Sequence, residues 1–327
     1  SEHRDSAGGA VWALRGLVTF IAGAAARLRP DGVLVGFDSR ATLRRKLDFP
    51  GYKAQRPEKT ADLLGQLEQA PGLLAAAGVP VVVADGAEAD DVLASAAGLA
   101  RAGGWRSMLM TSDRDSFALL DETTSVLWLR GGGVAGSPVV TAASLPQVCG
   151  VRPGQYRDFA ALRGDVSDNL PGVLGIGAIT AARLLDAFGD LDAVLTALDA
   201  GQGERIEAVI GVGATARLAA AASRANLERN RRLMLMDATL DLPELAAVRL
   251  PLDGERVRAA LRDRDIRLGP SLWALVGEPM PPWFEVDGGL RGWRDVAAVH
   301  TVVLEPRWRP VSRWRPVPLA TDQLALF

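Results

Sequence analysis

The sequence predicts an α/β protein: a mostly parallel central sheet with helices on both faces, followed by a helical region carrying a helix-hairpin-helix turn. Three observations predict it. Short apolar runs alternate with longer helical patterns up to about Thr141, the β-α-β rhythm of a parallel sheet. From there to about Gly277 the patterning is mainly helical. Inside that second half, Gly175 and Gly177 break the helical pattern, and the stretch Gly211–Ala216 echoes the break.

Taken in order, Val33–Phe37, Val81–Val83, Trp105–Met110 and Ser125–Leu129 are largely apolar runs of strand length, as buried strands are. Ala61–Ala77 and Glu88–Ala102 lie between them and are long enough for helices. Two copies of a glycine turn do not make a solenoid. They predict two helix-hairpin-helix-like turns, the first with the better-formed flanks. After Gly277 come Pro279, Pro281 and Pro282, then Trp308, Arg309, Pro310, Trp314, Arg315, Pro316 and Pro318, a composition that excludes a long helix. The expected organisation is therefore an α/β core over 1–140 with a basic stretch at about 40–60, a helical region over 141–278, and a linker or tail over 279–327.

Composition removes several function classes. With 327 residues and 48% hydrophobic content, the chain suits one large domain or two and has ample material for a core. Cys149 is the single cysteine, so no disulfide framework or Cys-rich zinc module is available. His3 and His300 are the only histidines, which disfavours His-ligated zinc and Ser-His-Asp chemistry. Asp and Glu remain, and they suit hard cations such as Mg²⁺ or Mn²⁺. The apolar run Val11–Ala26 is interrupted by Arg15 and falls short of the ~20 residues that span a bilayer. No membrane association is expected. The net charge of −2 hides clustering: Lys46, Lys53 and Lys59 are all the lysines, and Arg40, Arg44, Arg45 and Arg56 share their neighbourhood.

The acids cluster as well. In open α/β sheets ligands bind beyond the carboxyl ends of the strands. Asp38 follows the first strand, Asp113 and Asp115 (TSDRD) follow the third, and Glu88, Asp90 and Asp91 (AEADD) open the helix after the second. Glu88 and Asp91 stand three apart and share a helix face, while Asp90 points elsewhere. Any one of these acids is explained by helix capping. Three clusters at one sheet edge would repel each other unless cations neutralise them. Asp165 and Asp168 bring the set to eight, enough for two divalent ions of the kind that hydrolyse phosphodiesters. They sit directly before the glycine turn at 175–177, and a glycine turn opening a helix attracts phosphate. Metal at the first and a nucleic-acid backbone at the second would reconcile the two.

FDSRATLRRKLDFPGYKAQRPE, GAEADDVLASAA, TSDRDSFALL and GDVSDNLPGVLGIGAITAARLL occur in the order seen in bacterial 5′ nucleases. From about Ala10 to Gly277 the chain resembles the flap endonuclease family, whose members include the 5′-nuclease domain attached to DNA polymerase I. The resemblance implies a metal-dependent 5′-3′ exonuclease and flap endonuclease of replication and repair. In it Asp38, Glu88, Asp90, Asp91, Asp113, Asp115, Asp165 and Asp168 hold two Mg²⁺ or Mn²⁺ ions. Lys53 and Arg56 act at the scissile phosphate, within an arch whose Arg40, Arg44 and Lys46 contact DNA. Gly175, Gly177 and Thr180 grip the duplex backbone, and K⁺ is an expected companion there. A dinucleotide-binding reading of GIGAIT fails, because the third glycine and the preceding strand are missing.

The family pattern opens on a strand ending in a metal-ligating Asp. Here GAVWALRGLVTF resembles the first helix, no apolar run precedes it, and Asp5 is the only upstream aspartate. Since loss of a central strand exposes its neighbours' edges, the expectation is a chain whose beginning is cut short. At the other end, Gln323, Leu324, Leu326 and Phe327 resemble the short peptide that docks on the bacterial sliding clamp. The expected partners are thus flapped, nicked or branched DNA and the clamp. A monomer in the bacterial cytoplasm, at the nucleoid, is expected. The competing reading is a DNA-junction binding protein with weakened catalysis, tethered to the clamp.

Overall fold

The computed structural model describes residues 4–6, 8–131, 133–268, 272–281 and 301–304. Its central sheet is built on β1 (Gly32–Phe37) and β3 (Ser107–Thr111), both buried along their whole length. Unbroken apolar strands of this kind must be covered on both faces. β2 (Val81–Val83) pairs parallel with β1, and β4 (Thr124–Trp128) pairs parallel with β3. β5 (Val139–Val140) closes the far edge antiparallel to β4.

Between β1 and β3 lies β8 (Thr301–Leu304), parallel to both, so the order is β2-β1-β8-β3-β4-β5. This corrects the reading of 279–327 as linker or tail throughout. Thr301–Leu304 reads TVVL, a β-branched apolar run. A slot with unpaired N–H and C=O groups on both walls favours such a run. The strands also do not stop at Thr141. β6 (Gly164–Asp165) and β7 (Leu170–Pro171) form a small antiparallel ladder.

Alternate residues of each strand feed two cores. Val33, Val35, Phe37, Met108 and Met110 pack under α1 (Trp12–Leu28) and α3 (Ala61–Ala76), and α12 (Gly254–Arg262) returns to the same face. Leu34, Val82, Leu109 and Val126 face α4 (Ala89–Ala102). Gly36 admits that helix, since a Cβ there would lie 2.7 Å from the Val92 Cβ. The core under α4 runs on into α6 (Tyr156–Arg163) and α7 (Ala178–Phe188).

The rest of the helical half is α5 (Leu145–Cys149), α8 (Leu191–Asp199), α9 (Gly203–Ile210), α10 (Val212–Ala219) and α11 (Ala221–Leu233). Buried polar groups fix how these meet. Gln155 donates to the carbonyls of Leu185 (2.9 Å) and Gly189 (2.7 Å) at the end of α7. Asp158 accepts from the first amide of α8, Leu191 N, at 3.0 Å, and from Arg231 of α11. The last short helix of the α/β half, α2 (Arg44–Asp48), belongs to the basic stretch and bears on the site.

Candidate active site

Asp38 leaves the end of β1 exposed and accepts from Ala89 N (2.9 Å), in the first turn of α4. Asp113, after β3, caps a short 3-10 turn by accepting from Asp115 N (2.9 Å). Glu88, Asp90 and Asp91 are all buried at the start of α4. Asp165 and Asp168 arrive from the β6–β7 turn, where Asp165 Oδ1 accepts from Ser167 N (2.7 Å), Ser167 Oγ (2.7 Å) and Asp168 N (3.2 Å). That side-chain turn points Asp168, 4% exposed, back toward the sheet.

Asp115 is the focus of this edge. Among the described residues its buried Oδ1 has no hydrogen-bond partner. Burial, and then the charges of Asp165, Asp168 and Asp90, push its pKa up to about 7. A carboxyl so placed calls for a proton or a cation. Because every donor is oxygen, a hard divalent ion fits the set. Among the described residues, no group of three acids is arranged to hold a metal ion as the side chains stand. The acids instead divide into two groups, one around Asp115 and one around Glu88.

The basic stretch spans the gap between them. Lys53, in the left-handed region at φ 56, donates its N–H to Asp168 O (3.0 Å), and its buried ammonium pairs with Glu88 Oε1. Arg56 Nη2 meets Asp168 Oδ1 at 2.5 Å. Tyr52 Oη stands 2.9 Å from both Glu88 Oε2 and Asp168 Oδ2, linking the two groups. Burial and those two charges raise the phenol's pKa, so it stays a neutral donor. The stretch is docked rather than free. Arg232 of α11 holds Asp48 through two hydrogen bonds (2.7 and 2.9 Å), Arg229 stacks on Phe49, and Asn169 donates to Gly51 O (2.8 Å).

The other basic candidates lie outside this centre. Arg40 is exposed and 3.6 Å from Glu68, Arg44 pairs with Asp237 at 2.9 Å, and Lys46 is exposed. At the hairpin, Gly175 has φ +82, and a Cβ would lie 2.5 Å from Arg217 Nη2. Arg217 Nε donates to Leu174 O (2.6 Å), bracing the first glycine turn from the second one's helix, α10. Gly177 is the extended cap of α7, and Thr180 lies in that helix's first turn. Gln323, Leu324, Leu326 and Phe327 lie outside the described residues.

The structure also brings in residues that the sequence reading left unassigned: Arg45, Tyr52 and Arg217. Arg45 was hidden in the run Leu43-Arg44-Arg45-Lys46-Leu47. Consecutive helical residues point about 100° apart, so only the seating of α2 selects which cation turns inward.

Residues 1–144 match the family described as 5′-3′ exonuclease, N-terminal resolvase-like domain. Residues 151–252 match its companion, 5′-3′ exonuclease, C-terminal SAM fold. The chain belongs to the 5′ nuclease family. It is 34% identical over 270 residues to DNA polymerase I of Mycobacterium tuberculosis, a match covering 80% of this chain and 28% of the polymerase. It is 41% identical over 169 residues to the thermostable DNA polymerase I of Thermus aquaticus, covering 52% of this chain and 20% of that one. Thus the chain spans well under a third of the length of these relatives. Its fold matches T5 5′-exonuclease with divalent zinc ions bound (TM-score 0.57, 20% identity, 77% of this chain and 89% of that one). It also matches the catalytic core of Rad2 in complex with a DNA substrate (TM-score 0.50, 16% identity, 82% and 86%).

Proposed function

We propose that this chain is a divalent-metal-dependent, structure-specific 5′ nuclease that hydrolyses phosphodiesters in flapped, nicked or branched DNA during replication and repair. The observation that carries the reading is Asp115: among the described residues one of its buried carboxyl oxygens has no hydrogen-bond partner, and it lies in the field of Asp90, Asp165 and Asp168, the last of which also meets Tyr52 and Arg56. A T5 flap endonuclease described in complex with DNA and metal ions shares the fold and supports the same reading.

Asp90, Asp113, Asp115, Asp165 and Asp168, with Asp38 and Glu88 beside them, are the candidate ligands of two Mg²⁺ or Mn²⁺ ions. When bound, such ions activate water and offset charge on the leaving oxygen. Lys53 and Arg56 exchange their carboxylate partners for the scissile phosphodiester, where their charge is most useful as the phosphorus becomes crowded with negative oxygens. The first amides of α7, presented by Gly175 and Gly177 with Thr180, hold a backbone phosphate further along the duplex, with K⁺ as a companion ion. Arg40, Arg44 and Lys46 add non-specific attraction to DNA. In this reading the core over 1–140 cuts, the helical region over 141–278 grips, and the terminal peptide tethers a monomer to the sliding clamp in the bacterial cytoplasm, at the nucleoid. Among the described residues no helix is long and apolar enough to cross a membrane.

The second reading, a junction-binding protein with weakened catalysis, draws on the ion pairs that already neutralise Glu88 and Asp168. One assay separates the two. A 5′-flapped duplex should be cut with Mg²⁺ or Mn²⁺ and left intact in EDTA. Tight, junction-selective binding with no cleavage at any metal concentration would favour the second reading, and cleavage undiminished by EDTA would remove the metal mechanism.

A further inference from the structure

We infer that Asp91 is a positioning residue rather than a metal ligand, and that with Arg45 it forms a clasp holding Glu88 and the basic strap in place. The inference rests on reading this edge as a nuclease centre and concerns how that centre is held. Arg45 spends all five of its N–H groups. Nε donates to Leu233 O (2.7 Å), Nη1 to Glu88 Oε2 (2.9 Å) and Asp91 Oδ2 (2.8 Å), and Nη2 to Asp91 Oδ1 (2.6 Å) and Leu235 O (3.0 Å). Asp91 is equally committed. Beyond the Arg45 fork, Oδ2 accepts from Glu88 N (2.9 Å) and Oδ1 from Asp237 N (2.8 Å). A carboxylate has about four acceptor positions, and Asp91 has filled them with protein donors.

The contrast with Asp115 is direct, since among the described residues one of its buried oxygens has no partner. Both side chains of the clasp are nearly enclosed, with 12% of Arg45 and 5% of Asp91 exposed. A bidentate, desolvated pair of this kind is rigid and costly to break from one side. It joins three separate parts of the chain: the strap through α2, the start of α4, and the segment after α11. Glu88, held by Arg45 on one oxygen and by Lys53 on the other, takes its place from the clasp. Asp91 therefore acts on the reaction through Arg45 and Glu88.

The test compares the wild type with Asp91→Asn, Arg45→Met, the double variant and Arg45→Lys, all as full chains. Mn²⁺ alone is titrated by calorimetry, amide hydrogen exchange is followed over 44–56 and 233–237, and flap cleavage is measured at saturating DNA. The expected pattern has the same number of Mn²⁺ sites in every variant, with affinity weakened equally, about 10-fold, in both single variants. Cleavage should fall about 100-fold in each while DNA affinity in EDTA stays within about 3-fold. The double variant should be no worse than either single one, because the two residues act as a unit. Exchange should quicken in both segments. Arg45→Lys, which preserves charge and folding, should not restore cleavage, since one ammonium cannot span carbonyls and carboxylates on different elements.

Loss of one Mn²⁺ site in Asp91→Asn but not in Arg45→Met would make Asp91 a ligand and overturn the inference. Additive losses in the double variant, or full rescue by Arg45→Lys, would also overturn it. If wild-type protein cut no flap, the nuclease reading would fall by itself. The exchange and Mn²⁺ comparisons would still judge the clasp.

Discussion

At Asp115 the chain buries one carboxyl among others, and its protonation ties folding to pH. Its folded pKa of about 7 lies above the ordinary 3.8. Between those values the metal-free folded protein keeps a proton that the unfolded chain has released. Stability must therefore fall as pH rises through that window and level off above about 7. Urea unfolding in EDTA should show a higher midpoint at pH 5 than at pH 8, and Asp115→Asn should show a smaller difference. Mg²⁺ should restore much of the pH 8 loss in wild type only. If Asp115→Asn kept the full pH dependence, Asp115 would not be its source. The motif TSDRD exposed this residue in the sequence as an acid at a strand end. Which of its acids is enclosed was not legible, because Asp90, Asp165 and Asp168 arrive from two other segments.

At the scale of elements, the strands were legible wherever burial on both faces demanded unbroken apolar runs. All four expected strands form within two residues of their expected limits. β8 itself was not legible, since a four-residue run carries no address and its pairing depends on an open slot elsewhere. Val302 lies opposite Val33 on one side and Met108 on the other. Val302→Pro should break the ladder on one side, leave a buried carbonyl unpaired and cost about 1–3 kcal/mol. The check is the urea midpoint against Val302→Ile, with the denaturant slope unchanged. Equal midpoints for the two variants would show that the core stands without β8. The basic stretch teaches a similar lesson. Its composition announced phosphate or carboxylate contacts, yet its docking on α11 through Asp48 and Phe49 depends on where that helix ends.

Across the whole molecule, the sheet serves as a partition. One face is closed by α1, α3 and α12, and the other joins α4 to the helical half in a single core. That shared core is what carries the β6–β7 turn, with Asp165 and Asp168, to the carboxyl edge of the sheet. The terminal peptide is a separate matter of reach. Deleting Gln323–Phe327 should leave cleavage of free flaps unchanged and abolish binding to a bacterial sliding clamp. Ala at Leu326 and Phe327 together should cost ~2 kcal/mol or more of that binding, because so short a peptide relies on a few buried anchors. Clamp binding equal to that of the full chain would reduce the segment to a plain terminus.

The sequence by itself determined the α/β class, the place of four strands, the acidic motifs at their ends and the glycine turn beyond them. Each is a local matter, written in residue type and period. Only the tertiary structure decided which acids are neighbours, which cation turns inward, and what occupies the slot between β1 and β3. Those outcomes depend on surfaces distant in the chain meeting at a few ångströms, where a hydrogen bond is made or lost within less than the width of a side chain. Asp91 and Asp115 look alike in the sequence. One spends its oxygens on Arg45 and two backbone amides, and the other is left with a buried oxygen that no donor among the described residues satisfies.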